Sequence, residues 1–213
     1  MPTIEDAQSW YPANDHVHGF DHVLRVYRMA EVLSLAEHAD IEIVRAAALL
    51  HDAQGSETEG GDKGRLNHHY ASAEFARQIL ETEGWSEDRI QEVLHCIRAH
   101  RFRDNSEQPH NIEAKVIFDA DKLDAIGAIG VARALSYSVI EGLPFYSQPS
   151  IHFLKTGKTE PQEPHTAYHE YLFKLRNIKK MLYTPTAQAI AEQRHLIMDK
   201  FFTQLAAEFE AKK

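Results

Sequence analysis

Apolar side chains recur at intervals of three to four residues along most of this chain, and no segment alternates apolar with polar residues as a half-buried strand would. That period marks helices with one buried face, so the predicted fold class is all-α, a helical bundle. From Asp21 to Ala39 the positions Val23, Val26, Tyr27, Ala30, Val32 and Leu33 draw one such face. Ile41 to His51 is apolar and Ala-rich, too Ala-heavy for a strand, and reads as a central buried helix. A helix is predicted from about His69 to Glu83, stopped by Gly84. The next runs to near His100, with Ser86 as its N-cap and Glu87 and Asp88 in its favourable first turn. Ile112 to Ile140 has a helical pattern broken near Gly127 and Gly130. Thr166 to Tyr183 and Thr186 to Glu210 are amphipathic, and Thr184-Pro185 between them is a helix stop followed by a start.

The remaining segments are connections. Gln54 to Asn67 (QGSETEGGDKGRLN) holds four glycines and many charges, the composition of an exposed loop able to act as a lid. Residues 144–164 are proline-rich and read as a long surface connection. A chain of 213 residues fits one domain, with a core over about 20–142 and C-terminal helices over about 165–211. The single Cys96 rules out an internal disulfide, and no apolar run is long enough to cross a bilayer. The N-terminal stretch MPTIEDAQSWYPANDH lacks the pattern of a secretory signal, which leaves the cytoplasm as the expected compartment and no membrane partner. A formal net charge of -9 argues against nucleic acid as the main partner. It leaves room for a small anionic substrate where a metal reverses the field locally. A monomer or homodimer is expected.

The chain carries 14 histidines, and the chemistry gathers around some of them. His51 and Asp52 end an apolar helix, where polar groups need partners, and imidazole with carboxylate suits a borderline divalent metal. His22 stands near the start of the preceding helix, which a short link would set antiparallel, so the two ligand-bearing ends can meet. The stretch FDADKLDAIGAIG sets Asp119, Asp121 and Asp124 in an otherwise apolar helix, where carboxylates imply cations or a metal.

These motifs, His22 in HGFDHVLRV, His51-Asp52 in AALLHD and Asp121 in DADKLDAIGAIG, resemble the HD superfamily of metal-dependent phosphohydrolases. The tail YLFKLRNIKKMLYTPTAQAIAEQRHLIMDKF resembles the C-terminal helices of a bacterial branch that includes nucleoside triphosphate pyrophosphohydrolases. The resemblance implies that His22, His51, Asp52 and Asp121 hold one divalent transition metal, with Mn first and Co, Ni, Fe, Zn or Mg as alternatives. It implies a small phosphorylated substrate, a nucleotide, cut from triphosphate to monophosphate and pyrophosphate. Asp124, one turn beyond Asp121, is expected either to orient water or act as general base, or to serve as partner to a ligand or to Lys122. Arg25, one turn after His22, is the favoured phosphate contact, ahead of Lys63 and Arg65 in the loop. His69 and His100 are expected at the rim as phosphate contacts, and Lys122 as a further substrate-binding group. His68, His69 and His100 stand at places similar to those where two-metal relatives bind a second ion, the alternative to a single metal, and His18 has no assigned role.

Alarmone hydrolases of this superfamily carry two adjacent acids a few residues after the HD pair, whereas this chain reads HDAQGSE with only Glu57 nearby. No glycine-tyrosine-proline follows His100-Arg101, so the signature of cyclic dinucleotide phosphodiesterases is missing too. The alternatives are hydrolysis of another phosphomonoester or phosphodiester, a di-iron oxygenase, which needs more histidine ligands, and a non-catalytic nucleotide-sensing module, which has no need of a complete metal site.

Overall fold

A computed structural model describes residues 1–11, 19–54, 62–101 and 107–212, the side chains of 62–67 excepted. Among the described residues all regular structure is helical: α1 Ile4–Gln8, α2 Phe20–Glu37, α3 Ile41–Leu50, α4 Asp62–Thr82, α5 Glu87–Ala99, α6 Ile112–Asp124, α7 Gly127–Ile140, α8 Ile151–Thr156, α9 Ala167–Phe173, a 3₁₀ segment Leu175–Met181 and α10 Pro185–Phe209. The chain divides into two compact units, Met1–Asp121 with Leu182–Ala187, and Lys122–Met181 with Gln188–Lys213.

The first unit is organised around α3, which packs on α1, α2, α4 and α5. Ile43, Val44, Ala46, Ala47, Ala48, Leu49 and Leu50 are all buried. Apart from exposed Glu42 and half-buried Arg45 near its start, the helix is apolar on every side, and its three consecutive alanines let neighbouring helices approach closely. Asp40 caps it, its carboxylate accepting from the Glu42 and Ile43 N–H groups at 2.9 and 3.2 Å. α4 begins at Asp62, so the second half of the segment expected to be a loop is helical. Helix formers on both sides of Gly64 outweigh the cost of about 1 kcal/mol that one interior glycine carries.

Asp119 corrects another expectation. Its carboxylate is fully buried but needs no cation: it accepts from the backbone N–H of Tyr183 (2.9 Å) and Thr184 (2.7 Å) and from the Thr184 hydroxyl (2.7 Å). Thr184 in turn caps α10, accepting from Ala187 N–H at 3.3 Å, with Pro185 in the first helical position, where its missing N–H costs nothing. Burial lifts the Asp119 carboxyl above its ordinary range even against these donors.

In the second unit, α7 starts at Gly127, whose φ of +77° lets the chain turn after Ile126. A Cβ on Gly130 would sit 2.3 Å from the Ala125 carbonyl oxygen, so only glycine fits against that bend. The proline-rich connection contains α8, pinned by Glu163. That carboxylate accepts from Ser150 N–H (2.7 Å), Ser150 Oγ (2.8 Å), Glu160 N–H (2.7 Å) and His169 Nε2 (3.1 Å).

Candidate metal centre

Successive residues of an α-helix project about 100° apart, so neighbours can serve one point in space only where the helix ends. α3 ends at Leu50, and His51 follows as its C-cap. The His51 ring is fully buried, and its Nδ1 lies 2.9 Å from the Ala48 carbonyl. A carbonyl can only accept, so Nδ1 carries the hydrogen and Nε2 turns a lone pair inward. Burial pushes this imidazole down to about 4, against the pull of Asp52, so the ring is neutral at pH 7.

Two further groups, His22 and Asp52, approach that lone pair, and Asp121 stands beside His22. His22, in the first turn of α2, sets its Nε2 3.4 Å from His51 Nε2. Its Nε2 is also 3.4 Å from Asp121 Oδ1 and 4.0 Å from Asp52 Oδ2. His51 Nε2 lies 3.6 Å from Asp52 Oδ2. Ligands bonded at about 2.1 Å to one cation stand about 3.0 to 3.4 Å apart, so a small inward adjustment suits these donors to a divalent ion. Two ring nitrogens facing each other at 3.4 Å need a positive charge or a proton between them, and neutral imidazole with carboxylate is the donor set of the borderline metals. Of the four residues expected as ligands, His22, His51 and Asp52 are thus brought together in the first unit, with Asp121 beside His22.

A second group shares Asp52. His68 Nε2 lies 3.3 Å and His100 Nε2 3.4 Å from Asp52 Oδ1. His100 repeats the His51 arrangement: it is the C-cap of α5, and its Nδ1 donates to the carbonyl three residues back, Ile97, at 2.5 Å. Asp52 therefore turns one oxygen toward His22 and His51 and the other toward His68 and His100. Burial alone would raise its carboxyl, but His51, His100 and His68 hold it well below the usual carboxylate range.

Other expected site residues lie elsewhere. His69 is fully buried, its ring centroid 4.1 Å from that of Tyr70, and so is not a rim contact; its neighbour His68 reaches Asp52. His100 is buried beside Asp52 rather than at a rim. Arg25 pairs with Asp21 one turn back. Asp124 is buried in the second unit and ion-paired to Arg133. Lys122 is buried in the same unit. The side chains of Lys63 and Arg65, together with His18 and Glu57, lie outside the described residues.

His68 was passed over for His69 as a phosphate contact, although the sequence held a signal against that choice. His69, Ala73, Ala76 and Leu80 recur at helical spacing and are buried, which assigns His69 to the core stripe of α4 and turns His68 to its side.

An all-α unit that ends a buried helix on a His-Asp pair, and brings a second histidine and a second aspartate to it, has the architecture of an HD domain. Residues 19–126 match the family model described as HD domain, and the chain belongs to that family. It is 34% identical over 191 residues to YpgQ of Bacillus subtilis, covering 88% of this chain and 82% of that one. The crystal structure of Bacillus subtilis YpgQ in complex with ADP superposes with a TM-score of 0.74 at 30% identity, covering 99% of this chain and 100% of that one. A structure described as an HD-superfamily hydrolase from Bacillus thuringiensis matches with a TM-score of 0.68 at 30% identity, covering 98% of this chain and 97% of that one. Among the described residues no single helix is long and apolar enough to cross a membrane.

Proposed function

We propose that this protein is a metal-dependent phosphohydrolase acting on a nucleotide phosphate, converting a nucleoside or deoxynucleoside triphosphate to monophosphate and pyrophosphate. The observation that carries the proposal is the convergence of His22 Nε2, His51 Nε2 and Asp52 Oδ2 at spacings of 3.4 to 4.0 Å, with Asp121 Oδ1 3.4 Å from His22 Nε2. The ADP found in the YpgQ complex supports a nucleotide ligand. A divalent cation, Mn first, would supply Lewis acidity toward water and toward phosphoryl oxygens.

The chain's own residues prepare the site for that ion. Ala48 and Ile97 fix the tautomers of His51 and His100 through their carbonyls, so both rings offer Nε2 without rearrangement. Asp52 supplies negative charge to both groups of histidines. Arg133 ion-pairs with Asp124, one helical turn beyond Asp121, so we assign Asp124 to positioning rather than to proton abstraction. Arg25, held by Asp21, is kept as the candidate phosphate contact.

One observation favours a second reading of the metal count: Asp52, His68 and His100 form a donor group of their own. That set would accept a second cation, with Asp52 shared between the two.

The test is release of phosphate and pyrophosphate from a nucleotide panel by metal-stripped protein refilled with Mn, Co, Ni, Mg or Zn, beside an Asp52→Ala control. Pyrophosphate that forms with one metal and vanishes in the control is the expected result. Intact nucleotides with metal verified at the site would refute the nucleotide assignment and direct the search to other phosphoesters or to oxygen chemistry. Metal counted per chain in the same samples decides between one ion and two.

A further inference from the structure

The last turn of α3 holds a hydroxyl that the metal reading leaves without a role. The final four carbonyls of an α-helix have no partner within it. Ala48's accepts from His51 Nδ1, and Leu50's accepts from Ala53 N–H at 3.3 Å. Leu49's accepts from the Tyr11 hydroxyl at 2.8 Å. One buried hydroxyl thereby occupies a carbonyl of the last helical turn, three residues before the aspartate whose carboxylate faces both histidine groups.

The rest of the turn is held as firmly. The Tyr11 ring sits in a core cluster with Ala7, Val23, Leu49 and Ala53, against which Phe20 and Tyr27 pack. On the far side of the turn, Ser72 Oγ accepts from Gln54 N–H and donates to Gln54 C=O, both at 3.1 Å. Trp10 meets Phe75 edge to face, with centroids 5.5 Å apart, which ties the segment bearing Tyr11 to the helix bearing Ser72 and His68.

We propose that Tyr11 is a positioning residue for the metal centre: its hydroxyl holds the Leu49 carbonyl in the last turn of α3 and so fixes the backbone from which Asp52 aims Oδ2 at His22 and His51 and Oδ1 at His68 and His100. This rests on the metal reading given above. The aspartate side chain is short, with two torsions, so the direction of its carboxylate follows the backbone that carries it. Tyr11 lies outside the 19–126 span that matches the family model, so this support comes from a part of the chain that the match does not cover.

Tyr11→Phe keeps the ring and removes the hydroxyl, and Tyr27→Phe removes a hydroxyl from a ring packed on the same cluster without touching α3's end. Both variants and the unaltered chain are metal-stripped, melted, and titrated with Mn²⁺ by the electron paramagnetic resonance of the free ion; the Co²⁺ forms are compared by visible absorption. Tyr11→Phe is expected to bind Mn²⁺ about tenfold more weakly and to show a shifted Co²⁺ band. Tyr27→Phe should bind as the unaltered chain does, whatever its loss of melting temperature. A folded Tyr11→Phe protein with unchanged Mn²⁺ affinity and Co²⁺ spectrum overturns the proposal and leaves the metal reading standing. Failure of the unaltered chain to bind either ion overturns both.

Discussion

The two units each contain a buried knot of histidine and carboxylate, and the two knots are built to opposite rules. At Glu163 donors outnumber need: four hydrogen bonds of 2.7 to 3.1 Å converge on one carboxylate, and His169, which supplies one of them, has its other nitrogen 2.8 Å from the Thr166 hydroxyl. At Asp52 the approaches are 3.3 to 4.0 Å, long for hydrogen bonds, and two imidazole nitrogens face each other. Residue types are the same in both places. What separates them is whether protons already present in the chain satisfy the acceptors, and only the cluster at Asp52 asks for a cation.

The contrast can be broken most sharply at Asp52. Asp52→Ala should lower metal-dependent hydrolysis by about 10³-fold or more, measured as pyrophosphate release, and a variant within tenfold of the unaltered chain would mean that the ion sits elsewhere. Next in size is metal removal: chelation should lower the melting temperature by about 5 to 10 °C relative to protein in an excess of metal at 100 times its Kd. Glu163→Gln should lower the melting temperature by about 5 °C in both the loaded and the stripped protein, since that knot is filled by the chain's own donors. A metal-dependent difference there would erase the distinction between the two knots.

The effect at Glu163 should also depend on pH. Burial tends to raise this carboxyl, but donation from Ser150 and Glu160 N–H, the Ser150 hydroxyl and His169 brings it down to about 2. A carboxylate depressed in the folded state stabilises it fully above its ordinary pKa of about 4.5, and the contribution is lost as pH falls toward 2. Melting curves of the unaltered chain and Glu163→Gln should therefore lie apart at pH 6 and draw together between about pH 4.5 and 2. The smallest effect is expected at the surface pair Arg25–Asp21: Asp21 is exposed, so Asp21→Ala should move the melting temperature by less than about 2 °C.

Much of this architecture was legible in the chain because helix periodicity is local. The buried character of α3, the break at Gly127 and Gly130 and the start of α10 at Pro185 each follow from a few neighbouring residues. The site was legible where it too is local, as with adjacent His51 and Asp52. What escaped depends on helical phase or on distant partners. Placing the start of α4 at His69 instead of Asp62 concealed the phase that sends His69 to the core and His68 to Asp52. Asp119 read as a carboxylate that implies a cation because its donors, Tyr183 and Thr184, come more than sixty residues later. Arg133's claim on Asp124 crosses a helix break that periodicity alone does not orient.

That late partnership of Asp119 bears on how the protein is born. Thr184 lies 65 residues beyond Asp119, and until it has left the ribosome the carboxylate beside Asp121 has no donors of its own. A nascent chain can assemble α2 to α5 early, through contacts close in sequence, but the turn of α6 that carries Asp119 waits for the chain to return. Translation therefore sets an order in which the helix bearing Asp121 is anchored after the helices bearing the histidines.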